Sequence, residues 1–330
     1  MARKSSSKKL QPVPTKLTFT IPAGTNVNYV DISQAASAAS RKFLRQGLNW
    51  AVGGVRVTLP AASTGQAGNA VYISTLQHSW CTANAWTKAQ AHWLKQQDEA
   101  LANSDSGDTA ARYRDFKIYA DSTHVGMGEA ANLLPVGLGP GTTTGPFSSA
   151  VVTTSQVAAG EWEYSKVVVP NDVTPGTTSE VSLMMHGDDV AGTAFGLIRG
   201  YAQSRAVPHS PDPSNNSGVE FSFLSKMFNV GNDSSEIVEN AMDTNNNLPY
   251  DQDNYPGGRQ FVQMENQCFA FNTNTIAERR YSFGGFTAPC GLLRIDQLYS
   301  DDTSSTPLIV ELMLVPGDHR GYLAEPMQEM

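Results

Sequence analysis

No stretch of the 330 residues approaches the about 18 consecutive apolar positions that a bilayer-spanning helix requires, so no membrane span is expected. The N-terminus has no apolar signal core either. Residues 1–16 (MARKSSSKKLQPVPTK) are basic and polar throughout, which speaks against export by that route. Cysteine is scarce and odd in number: Cys81, Cys268 and Cys290, with no CxxC spacing. That pattern builds neither a disulfide framework nor a zinc site, and the three are expected to be buried, reduced thiols. Charge is sparse too, at 16% of residues, while 40% are hydrophobic, enough for a core and against wholesale disorder.

Catalytic signatures are equally wanting. There is no GxSxG, P-loop, HExxH or GxGxxG, and six histidines (His78, His92, His124, His186, His209, His319) are scattered. The nearest approach to a metal cluster is His186-Gly-Asp188-Asp189, which reads more simply as a solvated acidic turn. Asp251 with Asp253, and Asp301 with Asp302, are acidic pairs of a kind that can hold a divalent cation between subunits but that exposed loops carry routinely. Asp105 and Asp108 lack the later acidic ligand of a calcium loop. The expectation is a non-enzyme without a resident cofactor or metal.

What the sequence does have is a charge asymmetry. Between residues 1 and 46, eight basic residues (Arg3, Lys4, Lys8, Lys9, Lys16, Arg41, Lys42, Arg45) against one acid, Asp31, give +7; the rest must then carry −15 to reach the total of −8. A basic leader on an acidic body suits a tail that meets a polyanion, and these eight are the candidate nucleic-acid contacts. For Arg41, Lys42 and Arg45 a second reading stands beside it. They fall at the end of a helix predicted over 33–46, where cations complement the helix dipole.

The chain otherwise reads as strands. The run 307–316, Pro-Leu-Ile-Val-Glu-Leu-Met-Leu-Val-Pro, is apolar, closed by prolines, and predicts a strand buried on both faces. Alternation predicts further strands near 17–21, 28–32, 55–59, 70–76, 113–119, 162–169, 181–185, 261–271, 283–286 and 292–295. Helices are expected over 82–102 and 195–205, with two more near 221–230 and 235–242. Trp86 and Trp93 on the first of these read as packing rather than as a base-stacking stripe. No repeat of 20–50 residues is present, which excludes propellers and solenoids. Short strands with long Gly/Pro-rich links predict an all-β fold with helical insertions, a single jelly-roll antiparallel β-sandwich. The expected layout is a mobile basic arm (1–16), a shell domain (17–316) with helical insertions near 80–108 and 195–259, and a C-terminal tail (317–330).

Two segments carry a resemblance: Gly196-Leu-Ile-Arg-Gly-Tyr-Ala-Gln-Ser-Arg205 and Leu248-Pro-Tyr-Asp-Gln-Asp-Asn-Tyr-Pro-Gly-Gly258, together with the basic arm and the closing apolar strand. They resemble the capsid proteins of small circular Rep-encoding single-stranded DNA viruses, the group with bacilladnavirus-like and environmental members. The resemblance implies a subunit that assembles with copies of itself into an icosahedral shell, with the arm turned inward onto packaged single-stranded DNA. It implies a virion protein, assembled in the host cell with the nucleus one compartment open to it, and an unidentified host receptor. The arm has five basic residues before Leu17, fewer than many relatives carry. Two other readings are a carbohydrate-binding or hydrolytic β-sandwich and a nonspecific single-strand binding protein. The first would need an aromatic cleft with paired carboxylates, to which Trp80, Trp86, Trp93 and Trp162 give no matching acids; the second sits poorly with an acidic body.

Overall fold

The computed structural model describes residues 12–22, 26–62, 68–102, 114–137, 155–156, 162–170, 177–206, 255–258, 263–299 and 307–330. The predicted helices at 221–230 and 235–242, the loop at 138–147, most of the arm and the three remaining acidic pairs lie outside these residues. The chain opens with strands β1 (Lys16–Ile21) and β2 (Asn26–Asp31), helix α1 (Ile32–Ser40), and strands β3 (Leu48–Leu59) and β4 (Asn69–Thr75). There follow α2 (Trp80–Ala102), α3 (Ser122–Met127), the two-residue strands β5 (Val136–Gly137) and β6 (Ser155–Gln156), then β7 (Lys166–Pro170), β8 (Thr178–Met184), β9 (Ala194–Gly196) and α4 (Leu197–Ala206). The last third supplies β10 (Glu265–Asn272), β11 (Arg279–Phe283), β12 (Phe286–Ala288), β13 (Leu292–Tyr299) and β14 (Leu308–Leu314). It closes with β15 (Pro316–Gly317), β16 (Gly321–Tyr322) and β17 (Ala324–Pro326).

These elements form two compact units: residues 1–75, 130–162 and 266–326 in the first, and 76–129, 163–265 and 327–330 in the second. The first unit is an antiparallel β-sandwich. One sheet runs β1-β14-β3-β11, with β12 and β17 also on β3; the other runs β10-β4-β13-β2. Along β14 burial alternates, Leu308, Val310, Leu312 and Leu314 inward and Ile309, Glu311 and Met313 only partly covered. The expectation that this run is buried on both faces is therefore corrected. Its outward residues are only partly covered among the described residues, and Glu311 sits there between Lys16 and Arg56. Inward side chains of both sheets, among them Phe19, Ile21, Trp50, Val57, Ile73, Ile295 and Val310, make one apolar cluster. This shared core is what holds the two sheets face to face.

Strand β3 begins seven residues before the stretch 55–59 in which the sequence pattern shows it. The register shifts opposite Met313 and Leu314, leaving Gly53 as the extra residue of a bulge. A Cβ at Gly54 would come within 3.1 Å of the Phe283 carbonyl oxygen, so the glycine permits the close approach. After β14, β15 and β16 pair as a separate two-stranded sheet, and β17 joins the sandwich by pairing the start of β3.

The second unit combines α2, α3 and α4 with the three-stranded sheet β7-β8-β9, whose β8–β9 pairing is parallel. The strand expected at 113–119 is absent over the described residues 114–118. Phe116 to Ala120 are all buried rather than alternating, and the segment bonds irregularly, to Ser165 on one side and to Leu183 and Met185 on the other. Trp86 is buried edge-on against Phe116, and Trp93 tilts onto the same ring, so this aromatic pair is packing. The Tyr255-Pro-Gly-Gly258 turn has a clear physical role here. Tyr255 is fully buried edge-on to Trp80, and Gly257 adopts φ +83 with its α-carbon pressed toward His186 and Ile198. A Cβ there would lie 2.7 Å from Ile198 Cδ1 and 2.9 Å from His186 Nε2. Gly257→Ala is expected to cost about 2–3 kcal/mol, from left-handed strain plus overpacking, read as a lowered thermal midpoint of the full chain.

Candidate nucleic-acid interface

Helix α1 begins at Asp31, whose carboxylate accepts the Ser33 and Gln34 backbone N–H groups at 2.9 and 3.2 Å. It ends at Ser40 rather than near 46, because Arg41 turns left-handed at φ 57. The reason lies in the apolar residue that follows. Leu44 is fully buried, and its backbone N–H bonds back to Ser37 Oγ at 2.8 Å, folding the chain under the helix. Gln46 then turns inward to donate to Asp31 Oδ2 at 3.0 Å. With Leu44 and Gln46 inside, Arg41 and Arg45 are left exposed. The helix-dipole account of this trio is corrected: all three lie beyond the last helical turn.

Structure adds a fourth cation that sequence gave no means to find. Arg320 sits at φ 55 in the turn between β15 and β16 and donates to the Phe43 carbonyl, while Lys42 Nζ donates to the Arg320 carbonyl at 3.0 Å. The two segments are 278 residues apart in sequence. One residue pair further on, the phenol of buried Tyr322 donates to the Pro14 carbonyl at 2.8 Å and shares a hydrogen bond with Ser40. The same turn that carries Arg320 thus grips the root of the N-terminal arm. Val13 packs on the core, and the Thr15 carbonyl accepts the Leu314 N–H, so residues 13–16 belong to the folded unit. Tyr322→Phe should cost about 1–2 kcal/mol, since the phenol's hydrogen bonds with Pro14 and Ser40 are both lost. It should also speed proteolytic cutting near residue 14, as followed by mass spectrometry.

The segment that carries Arg41, Lys42 and Arg45 is thus tied to Arg320 through Lys42 and Phe43, with Asp318 the acid in the same turn. Lys16 is placed elsewhere. Its ammonium pairs with Glu311 at 2.5 Å on the outer face of the sheet, and Arg56 takes the other carboxylate oxygen at 3.2 Å. Partial burial works against the Glu311 charge, but the two cations prevail and hold the carboxyl below its usual range. Arg3, Lys4, Lys8 and Lys9 lie outside the described residues.

The His186-Gly-Asp-Asp turn is not simply solvated. Arg199 on α4 pairs with Asp188 and, at 3.4 Å, with Asp189, whose other oxygen accepts the Gly196 N–H at 2.9 Å. Those acids hold the start of α4. Among the described residues, no three His, Cys, Asp or Glu side chains converge as a metal site would require. The three cysteines are buried thiols that form no disulfide among the described residues. Comparison with family models, curated proteins and solved structures gave no match. What the geometry offers is Lys42 and Arg320 held together, with exposed Arg41 and Arg45 on the same segment as Lys42, cations that can meet phosphates without reading bases.

Proposed function

We propose that this chain is a capsid subunit: a jelly-roll brick that assembles with its own copies into an icosahedral shell around single-stranded DNA, with no catalytic role. One observation carries the reading. The long strands of the first unit pair first with last (β1–β14), second with next-to-last (β2–β13), third with the one before (β3–β11), and β4 with β10. Nested pairing of this kind is what one long hairpin makes when it is rolled into two sheets.

That topology alone serves many functions, lectins among them. The basic turn beside residues 13–16 favours the shell reading, because it adds fixed positive charge next to the end of the basic N-terminal segment. The test is direct: express the full chain, treat with nuclease, sediment it, and image the fractions. Large hollow particles whose ratio of absorbance at 260 to 280 nm exceeds that of protein alone are expected. A stable monomer free of nucleic acid would overturn the reading.

A further inference from the structure

The outer face of the second sheet carries an exposed aromatic row with nothing over it among the described residues. Phe269 and Phe271 on β10 are 44% and 46% exposed, and Leu298 on β13 shares the face at 48%. Tyr72 on β4 stacks on Phe269 with ring centres 4.6 Å apart, and Phe269 stacks on Phe271 at 5.8 Å, with interplanar angles of 28° and 22°. β10 is also the end strand of its sheet. Its sequence, ENQCFAFN, has one charge and none of the lysines or prolines that usually guard an edge.

We infer that this row is a contact between two copies of the chain, related by a two-fold axis near the middle of β10. It rests on the proposed self-assembly and names the surface that serves it. Ring orientation argues against the other occupants. Tyr72, Phe269 and Phe271 cover one another's faces and the Arg279 guanidinium lies over Phe271, which leaves little open ring face for a base or a sugar. The described cations by this face are engaged as well: Arg294 is clamped by Asp296 at 2.8 Å, and Arg279 lies over the Phe271 and Tyr281 rings.

Charge placement points to a second copy. Glu265 opens β10, whereas the Arg279 guanidinium lies over the Phe271 ring at 6.0 Å, by the strand's other end. A two-fold axis lays the strands antiparallel and brings each copy's Glu265 toward the other's Arg279, with the phenylalanines meeting between.

The experiment uses the full-length chain and follows association by analytical ultracentrifugation, with circular dichroism and the thermal midpoint as controls for folding. Phe269→Asp should leave the fold intact and weaken association about tenfold or more. Glu265→Arg and Arg279→Glu should each weaken it, and the two together should restore it toward wild type. The contact is refuted if Phe269→Asp associates like wild type, or if the double exchange is no better than either single one. It is equally refuted if wild type stays monomeric and uses Phe269 to bind oligo(dT) or a chito-oligosaccharide. A wild type that stops at a two-fold dimer would remove the shell reading and leave the contact standing; particles that form despite Phe269→Asp would do the reverse.

Discussion

Replacing Asp31 with alanine is expected to destabilise the sandwich unit by on the order of 4 kcal/mol, the largest effect of any single substitution considered. The carboxylate is 1% exposed and accepts four hydrogen bonds: from the Ser33 and Gln34 backbone, from Gln46 Nε2 at 3.0 Å and from Trp162 Nε1 at 3.1 Å. Alanine leaves all four donors buried without that acceptor. It also releases the loop that carries Arg41, Lys42 and Arg45, so the basic cluster should loosen with the fold. Asparagine is the milder change. It can keep the helix cap, but its amide then faces the Gln46 and Trp162 donors, at about 2 kcal/mol.

Asp31 also gives a pH signature with a definite sign. Burial pushes its carboxyl from 3.8 up to about 6, against the pull of the hydrogen bonds from Gln46, Gln34, Trp162 and Ser33. In the window between those values the folded chain holds a proton that the unfolded chain has released. This group's contribution to stability therefore falls as pH rises from about 4 to about 6, and rises as pH falls through the same range. Wild type should gain on Asp31→Asn by up to roughly 3 kcal/mol as the buffer is taken from pH 7 to pH 4. Denaturant midpoints of the two proteins across that range would show it. A constant gap would mean that Asp31 stays ionised throughout.

Truncating the arm should separate packaging from folding, provided the cut falls in the right place. Removing residues 2–11 takes away Arg3, Lys4, Lys8 and Lys9 but leaves Val13, Pro14 and Thr15 on the sandwich. Particles should still form and should carry less DNA. If each cation meets one phosphate, the slope of log affinity against log salt should fall by about 3 for a single strand. Cutting through residue 16 is a different experiment. It also removes the Tyr322–Pro14 and Leu314–Thr15 hydrogen bonds and the Lys16–Glu311 pair, and about 2–4 kcal/mol of stability should go with them. Equal DNA content in the 2–11 truncation and wild type would show that the arm is not what holds the genome.

Local pattern alone settled a good part of the architecture. Alternation located β1, β4 and β8 to within a few residues, because in a sheet with one covered face the inward side chains must be apolar, and the proline-bounded apolar run located β14. It failed where local appearance and tertiary role diverge. β3 runs on through a bulge at Gly53 that the alternation over 55–59 does not reach, and residues 114–118 look like a strand, yet Phe116, Lys117 and Ile118 are buried in succession. The helix at 33–46 was read too long because its cations fit a helix end, while the need to bury Leu44 ends it at Ser40.

For the candidate interface, the sequence by itself determined that positive charge is concentrated before residue 46 and that the body is acidic. Only the tertiary structure decided which of those charges act together. Lys16 is taken up by Glu311 across the sheet, whereas Arg320, from the other end of the chain, joins Lys42 beside Pro14. The physical reason is the nested pairing, which brings the first strand against the last. Residues some 300 positions apart, such as Pro14 and Tyr322, become neighbours, and no local pattern carries that information.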